Sequence, residues 1–310
     1  MKPLLVVNPE SGGGRTRKVF PDLKRAITAR LGEVEIVFTE RSGDGIRLAR
    51  EGALAGHELV IAVGGDGTLN EVVNGLMEAG KPNTELGIIA QGTGGDFRRS
   101  INLEHRLDAY LSALAAEKTR PLDVGMAEYT AHDGTRKSRY FVNVLSAGMG
   151  GLVDQFVARS TRLFGGKAAY FGASLRALAA VELGRLSCTV HNGDNAQVHK
   201  ISTYMIAICN GQFFGSGMHV APMAEVDDGR FEIVALGPQS KVGIALTSNA
   251  IYDGKHLAQK GAVHLPCEKV DLMLDNQAAA DAYLIDLDGE PVGKLPLSIS
   301  VKKSALRLRA

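Results

Sequence analysis

Between Leu4 and Ala116 apolar residues fall in short unbroken runs, separated by stretches of helical periodicity. Leu4 to Asn8 is apolar until its last residue and reads as a buried strand. Gly12-Gly13-Gly14 follows, then a basic amphipathic helix from Arg15 to Leu31. Val34 to Phe38 reads as the next strand, and Asp44 to Ala55 as a helix with Asp44 placed to cap it. Leu59 to Val63 is a third strand. Its helix carries apolar residues at Leu69, Val72, Val73, Leu76 and Met77, with Asn70 to Glu78 inside it. Leu86 to Ala90 is a fourth strand and Leu107 to Ala116 a closing helix. Alternation of this kind predicts a parallel sheet with helices on both faces, and ligands beyond the carboxyl ends of its strands.

After Pro121 the pattern changes. Asp133-Gly134, Asn192-Gly193, Asp228-Gly229 and Asp288-Gly289 are tight-turn signals. Strands are expected over Arg139–Leu145, Leu186–Val190, Ile201–Cys209, Phe231–Leu236, Lys269–Leu274 and Leu297–Leu308. Helices are expected over Leu152–Leu163, Ala168–Leu183 and Lys241–Gln259. The fold class that follows is α/β: an N-terminal parallel-sheet domain and a mainly antiparallel C-terminal domain.

Composition narrows the function. The chain has 310 residues, which suits two domains rather than one core. Its net charge of +1 gives no general attraction to nucleic acid. Cys188, Cys209 and Cys267 form no CxxC pair and read as reduced core thiols, consistent with a cytoplasmic protein. Met1-Lys2-Pro3 runs straight into the first strand, so no targeting segment is expected. The longest apolar candidate, Ala168 to Val181, is broken by Arg176 and is too short to span a bilayer. Membrane contact is therefore expected to be peripheral. Phe156, Leu163 and Phe164 with Arg159, Arg162 and Lys167 are its candidate surface, against the alternative of a core-packed helix with a solvated basic face.

Three glycine-rich loops carry the candidate chemistry. Gly64-Gly65-Asp66-Gly67-Thr68-Leu69-Asn70 joins a strand to a helix, the arrangement that points backbone N–H groups at a phosphate. It is a poor dinucleotide fingerprint, because Asn70 holds the third glycine position, and no Walker A sequence exists in the chain. Asp66 makes sense within an anion loop if Mg²⁺ stands between it and a polyphosphate. Asn8-Pro9-Glu10-Ser11-Gly12-Gly13-Gly14 offers donors, and Arg15, Arg17 and Lys18 at the following helix start oppose the dipole unless a polyanion docks. Gly92-Thr93-Gly94-Gly95-Asp96, with Arg98 and Arg99, is the third loop on the same sheet edge.

Two acidic segments complete the set. Asp286, Asp288 and Glu290 alternate, so on an extended segment all three face one side and serve as a base or as metal ligands. The alternative is an exposed hairpin turn. Ala221 to Phe231 holds a second acidic turn able to bind a hard cation through carboxylate and carbonyl oxygens. No histidine has a nucleophile partner, and there is no GxSxG elbow.

Taken in order, these residues resemble the diacylglycerol kinase catalytic family, specifically its soluble bacterial lipid kinases. The family pattern runs NPxSG, GGDGTxNEVxNG, GTxNDFAR, DVG, APxAxxDDGxF and DGE. It appears here as Asn8 to Gly12, Gly64 to Gly75, Gly92 to Arg98, Asp123-Val124-Gly125, Ala221 to Phe231 and Asp288-Gly289-Glu290. GGDGT alone is shared with NAD kinases and 6-phosphofructokinases. The resemblance implies an ATP-binding α/β domain over 1–124, joined by 297–310, and a β-sandwich-like lipid-binding domain over 125–296. It implies ATP contacts from Asn8, Pro9, Ser11, Gly12, Thr39, Gly64, Gly65, Asp66, Gly67, Thr68, Leu69, Asn70 and Thr93. Glu225, Asp228 and Arg230 would hold a structural Mg²⁺, Glu290 would be the base, and Asp66 and Asp288 would act with the catalytic Mg²⁺. The expected activity is transfer of the γ-phosphate of ATP to a lipid hydroxyl, diacylglycerol or a related lipid. The alternatives are an NAD-kinase-like enzyme with a soluble acceptor and a non-catalytic nucleotide or lipid sensor. ATP, the lipid and a membrane surface are the expected partners; nucleic acid is not, and a homodimer stays open. One departure is noted: Gly95 stands where the family has Asn.

Overall fold

The computed structural model describes residues 2–92, 94–159, 173–174, 176–238, 240–241, 243–244, 248–281 and 283–310. Its first half contains β1 (Leu4–Val7), α1 (Arg15–Leu31), β2 (Glu35–Phe38), α2 (Asp44–Ala55), β3 (Leu59–Gly64), α3 (Asp66–Ala79), β4 (Glu85–Ala90), α4 (Asp96–Ser100) and α5 (Leu107–Ala115). β1 lies between β2 and β3, and β4 lies beside β3, all parallel. Strand side chains alternate between faces, and here the two faces feed separate cores. Leu4, Val6, Val60 and Ala62 pack with Leu69, Val72, Val73 and Leu76 of α3. Leu5, Val7, Ile61 and Val63 pack with Phe20, Leu23 and Ile27 of α1 and Tyr110 and Leu114 of α5. Burial on both faces is why these strands read as continuous apolar runs.

Three details depart from the sequence reading. α3 starts at Asp66, so Gly67, Thr68, Leu69 and Asn70 form its first turns rather than a preceding loop. α4 is an additional element that the sequence pattern does not predict. Asp44 is not the cap of α2: it lies inside the helix and its Oδ2 accepts from the backbone N–H of Glu40 (2.9 Å) and Arg41 (3.1 Å). The helix start is held instead by Glu71 of α3, which accepts from Gly43 N and Gly45 N.

The second half contains β5 (Arg120–Ala131), β6 (Arg136–Phe141), β7 (Val144–Gly148), α6 (Met149–Arg159), β8 (Gly184–Asn192), β9 (Asn195–Thr203), β10 (Met205–Cys209), β11 (Phe213–Phe214), β12 (Met218–His219), β13 (Phe231–Leu236), β14 (Ala262–Cys267), β15 (Lys269–Leu274), β16 (Leu284–Leu287) and β17 (Glu290–Arg309). Its strands pair antiparallel around a core that includes Phe141 and Phe231, whose rings stack with centroids 5.5 Å apart. Two expected strands are each split in two: 139–145 by a break between β6 and β7, and 201–209 by Tyr204 between β9 and β10. Within the expected helix over 241–259, Lys241, Gly243 and Ile244 are helical, whereas the chain from Ser248 on forms two short 3₁₀ turns, Ser248–Ile251 and Lys255–Ala258, separated at Gly254 by a left-handed residue (φ 69°). Leu163, Phe164, Arg162 and Lys167 of the candidate membrane surface lie outside the described residues. Phe156 is partly buried, with the Arg176 guanidinium 4.8 Å above its ring. Among the described residues no helix is long and apolar enough to cross a membrane.

One strand joins the halves. β17 begins in a hairpin with β16, runs antiparallel to β5 and β15, and ends with Arg307–Arg309 in parallel register beside Glu85–Gly87 of β4. Its first residue, Glu290, is thereby fixed relative to the ends of the parallel strands.

Candidate active site

The parallel strands end together, and their loops touch. Asn8 N donates to Val63 O at 3.0 Å, Thr39 N to Val7 O at 2.9 Å and Gln91 N to Gly64 O at 2.7 Å. These bonds place the ends of β1, β2, β3 and β4 side by side. The glycines are needed for closeness more than for unusual dihedrals. A Cβ on Gly92 would lie 2.7 Å from the Cα of Gly65, and one on Gly64 would lie 2.3 Å from Thr68 Oγ1. A Cβ on Gly12 would meet Gln91 O at 2.7 Å, and Gly12 also has a positive φ of 63°. One on Gly65 would be 3.4 Å from Ser11 Oγ. The first, second and third glycine loops therefore converge on one point above the N-terminus of α3, where N–H groups and dipole favour an anion.

Side chains secure the convergence. Asn8 Nδ2 donates to Thr68 Oγ1 at 3.2 Å, and Asn8 Oδ1 accepts from Glu10 N at 3.0 Å. Pro9 O accepts from Arg17 N and Ser11 O from Thr16, so the first loop is fastened to α1. Leu69 is 5% exposed and belongs to the core, so its part in the site is to seat α3. Thr93 lies outside the described residues.

Asp66 does more than face the loop. Its Oδ2 accepts from Gly95 N at 2.9 Å and Asp96 N at 3.3 Å, tying the third loop to α3. Asp96 is 6% exposed; burial raises its pKa, and the neighbouring Asp66 raises it further. It is held by Ser216 N and by the Arg99 guanidinium.

The acidic triplet departs from expectation. Asp288 and Gly289 form the two-residue turn between β16 and β17, with φ of 49° and 88°. Such a turn needs positive φ at both positions, and it breaks the alternation that would have aligned three carboxylates. Asp286 accepts from Ser146 Oγ and Gly289 N. Asp288 Oδ1 accepts from the N–H of Asn143 (3.1 Å) and Val144 (3.0 Å). Its Oδ2 accepts from Val142 N (2.9 Å) and Asn70 Nδ2 (2.9 Å). Burial raises the Asp288 pKa, against the pull of these bonds. With each oxygen taken by two donors, Asp288 is an anchor rather than an open metal ligand. Glu290 alone faces the loops: its Oε1 lies 3.6 Å from where a Cβ on Gly67 would stand.

Asn70 is likewise an anchor. It is fully buried, donates to Tyr140 O and Asp288, and its Oδ1 accepts from Arg139 Nε and Nη2. Asn74, one turn on, exchanges bonds with both the N–H and the carbonyl of Tyr140. Glu225, Asp228 and Arg230 lie elsewhere, all exposed. Asp228 accepts from Arg230 N at 3.1 Å, and among the described residues no hydrogen bond or ion pair links these three to the glycine loops. The Asp228 side chain itself is 27% exposed, and this partial desolvation raises its pKa. Their turn is held by Asp123, which accepts from Gly229 N and Ser304 N. Among the described residues no three His, Cys, Asp or Glu side chains gather to hold a metal ion.

This geometry belongs to a known pattern. The diacylglycerol kinase catalytic domain matches residues 2–127, and the YegS C-terminal NAD kinase beta sandwich-like domain matches residues 143–310. The chain belongs to the diacylglycerol kinase family. It is 25% identical over 293 residues to a diacylglycerol kinase of Staphylococcus haemolyticus, spanning 94% of this chain and 83% of the relative. It is 28% identical over 312 residues to a "Probable lipid kinase YegS-like" of Pseudomonas aeruginosa, spanning 99% and 93%. The structure of a diacylglycerol kinase from Bacillus anthracis superposes with a TM-score of 0.71 at 20% identity, covering 99% of this chain and 96% of that one. Family membership supports a kinase of the lipid-kinase type and an α/β fold with an NAD kinase-like β-sandwich half.

Sequence reasoning missed the anchoring roles of Asp123, Asn74, Arg139 and Asp96. Asn70 and Asn74 did carry a signal: two amides four residues apart on an otherwise apolar helix face share one side and need partners once buried. Set letter by letter, the family's third motif runs to Arg99 rather than ending at Arg98: its closing Arg falls on Arg99 and the Ala before it on Arg98.

Proposed function

We propose that this kinase transfers the γ-phosphate of ATP to the hydroxyl of a lipid, diacylglycerol or a close relative, with Mg²⁺. The observation that carries the reading is the approach of Glu290 to Gly67, which sets an open carboxylate against a three-loop anion site. Phosphoryl transfer asks a protein mainly for positioning and charge stabilisation. The loops at Gly12, Gly65 and Gly92 supply backbone N–H groups for a polyphosphate, and Asn8 and Thr68 keep the first two in register. Among the described residues the Glu290 side chain has no hydrogen bond or ion pair, leaving both oxygens free to take a proton from an acceptor hydroxyl. Asp66 uses Oδ2 to hold the third loop, and Oδ1 remains for a metal.

Mg²⁺ characteristically binds through one or two carboxylates plus substrate phosphates and water. Asp66 Oδ1, with Glu290 nearby, fits that donor set without a three-carboxylate cluster. When bound, the ion would neutralise charge on the phosphates. The Glu225–Arg230 turn fits a second ion less well, because Asp228 already accepts from its own loop.

In this reading residues 1–124 and 297–310 bind the nucleotide, and 125–296 present the lipid from a membrane surface. The deciding experiment supplies radiolabelled ATP with a panel of lipids in mixed micelles, with and without Mg²⁺, and NAD as a soluble acceptor. Label in extracted lipid, dependent on Mg²⁺, is the expected result. Label in NAD alone favours the soluble-acceptor alternative, and ATP binding without turnover favours a sensor.

A further inference from the structure

Arg98 is placed unlike its neighbour. Arg99 is neutralised by Asp96 Oδ1 at 2.5 Å and also donates to Gly94 O at 2.6 Å. Arg98 Nη1 donates to Leu103 O at 3.0 Å, and among the described residues no carboxylate lies within 4.0 Å of its guanidinium. Its Nε is buried with no hydrogen-bond partner. A half-buried cation with an unused donor is unfavourable until an anion meets it.

Its position accounts for Gly95. A Cβ at Gly95 would lie 3.2 Å from Arg98 Nε, 3.7 Å from Nη2 and 3.9 Å from Cζ. The guanidinium therefore lies over the bare Cα of Gly95, in space that a side chain there would claim. Arg98 also lines, with Gly64, Gly65, Asp66 and Ala90, a cavity of about 20 Å³ at the ends of β3 and β4. His105 is held below its ordinary pKa by burial and then by Arg98 and Arg99 of α4 and Arg15 at the start of α1.

We propose that Arg98 is the phosphate-binding side chain of the third loop, its guanidinium standing where a residue 95 side chain would otherwise reach the nucleotide. Arginine suits this role because its planar fork pairs with phosphate oxygens two at a time. The inference rests on the nucleotide reading of the three loops and adds to it a specific cation and its dependence on Gly95.

The test is calorimetric titration of ATP, and of adenosine by competition, into the full chain and into Arg98→Ala, Arg98→Lys, Gly95→Asn and the Gly95→Asn/Arg98→Ala double variant. Thermal unfolding of each establishes that it is folded. Arg98→Ala is expected to weaken ATP about tenfold or more and to leave adenosine unchanged. Arg98→Lys is expected to fall between. Gly95→Asn alone is expected to weaken ATP by displacing the guanidinium, and the double variant to bind better than the two single effects combined predict. Equal ATP affinity in Arg98→Ala and the parent overturns the proposal while leaving the nucleotide reading intact. So does equal loss for adenosine, or strict additivity in the cycle. Absence of ATP binding to the parent removes both readings. If Arg98→Ala does not fold, the lysine and double variants decide between the same outcomes.

Discussion

Asn70 Nδ2 donates to Asp288 Oδ2 at 2.9 Å, across 218 residues of chain. This bond joins the first turns of α3 to the hairpin that presents Glu290. Asp288 also gathers the N–H groups of Val142, Asn143 and Val144. Removing the carboxylate would strand those three donors and Asn70 together. Each buried unsatisfied group costs about 1–3 kcal/mol, with partial relief from water. Asp288→Ala is therefore expected to lower unfolding free energy by about 3 kcal/mol or more, measured by urea denaturation. A variant as stable as the parent would mean that the bonds to Asp288 do not hold the junction.

The glycines separate packing from chemistry. Gly92→Ala places a methyl 2.7 Å from the Gly65 backbone, which cannot rotate away. Overpacking of this kind costs about 1–3 kcal/mol, and the loop shift is expected to reduce kinase activity as well. Gly67 lies within α3, and its new methyl would make ordinary contact with Glu290 at 3.6 Å. Gly67→Ala is expected to leave stability unchanged or raise it by about 0.5–1 kcal/mol, yet to depress turnover by filling the space between the loop and Glu290. Melting temperature and activity measured on both variants would separate the two effects.

Asp66 and Glu290 are expected to fail in different ways. Glu290→Gln keeps size and hydrogen-bonding capacity but cannot take a proton, so turnover is expected to fall by about 10²–10⁴-fold with ATP affinity retained. Asp66→Asn keeps an oxygen for Gly95 N and Asp96 N, so the third loop stays in place while metal dependence changes. Asp66→Ala loses both and is expected to loosen the loop. Single-turnover kinetics across Mg²⁺ concentrations would distinguish them, and parent-like turnover in Glu290→Gln would remove that residue from the mechanism.

The parallel half was legible because doubly buried strands are apolar runs and their helices keep a 3.6-residue period. The convergence of the glycine loops followed from topology, since parallel strands share one carboxyl edge. What failed was local. β14 is not legible as a strand because Pro266 lies within it; the strand sits at a sheet edge, where proline is tolerated. The alternating acids do not share one side because the period of two ends at a turn, and Asp288 at positive φ directs its carboxylate into the chain junction. Asn70 reads as a ligand contact from its motif position, whereas the partners that occupy it, Arg139, Tyr140 and Asp288, are distant in sequence.

His256 gives the fold a pH dependence of defined sign. It is 1% exposed, and its Nε2 lies 2.9 Å from Val220 O. Burial holds its pKa below the ordinary value of 6.5, outweighing the backbone bonds at Val220 and Ala250. The folded state therefore binds fewer protons than the unfolded state in the interval below 6.5. Its contribution to stability is present above the unfolded pKa and is lost as pH falls through the folded one. Melting temperature is expected to decline as pH is lowered from neutrality into that interval. His256→Gln, which cannot become charged there, is expected to flatten the decline even if it lowers the melting temperature at neutral pH. An unchanged slope in the variant would assign the pH dependence to other groups.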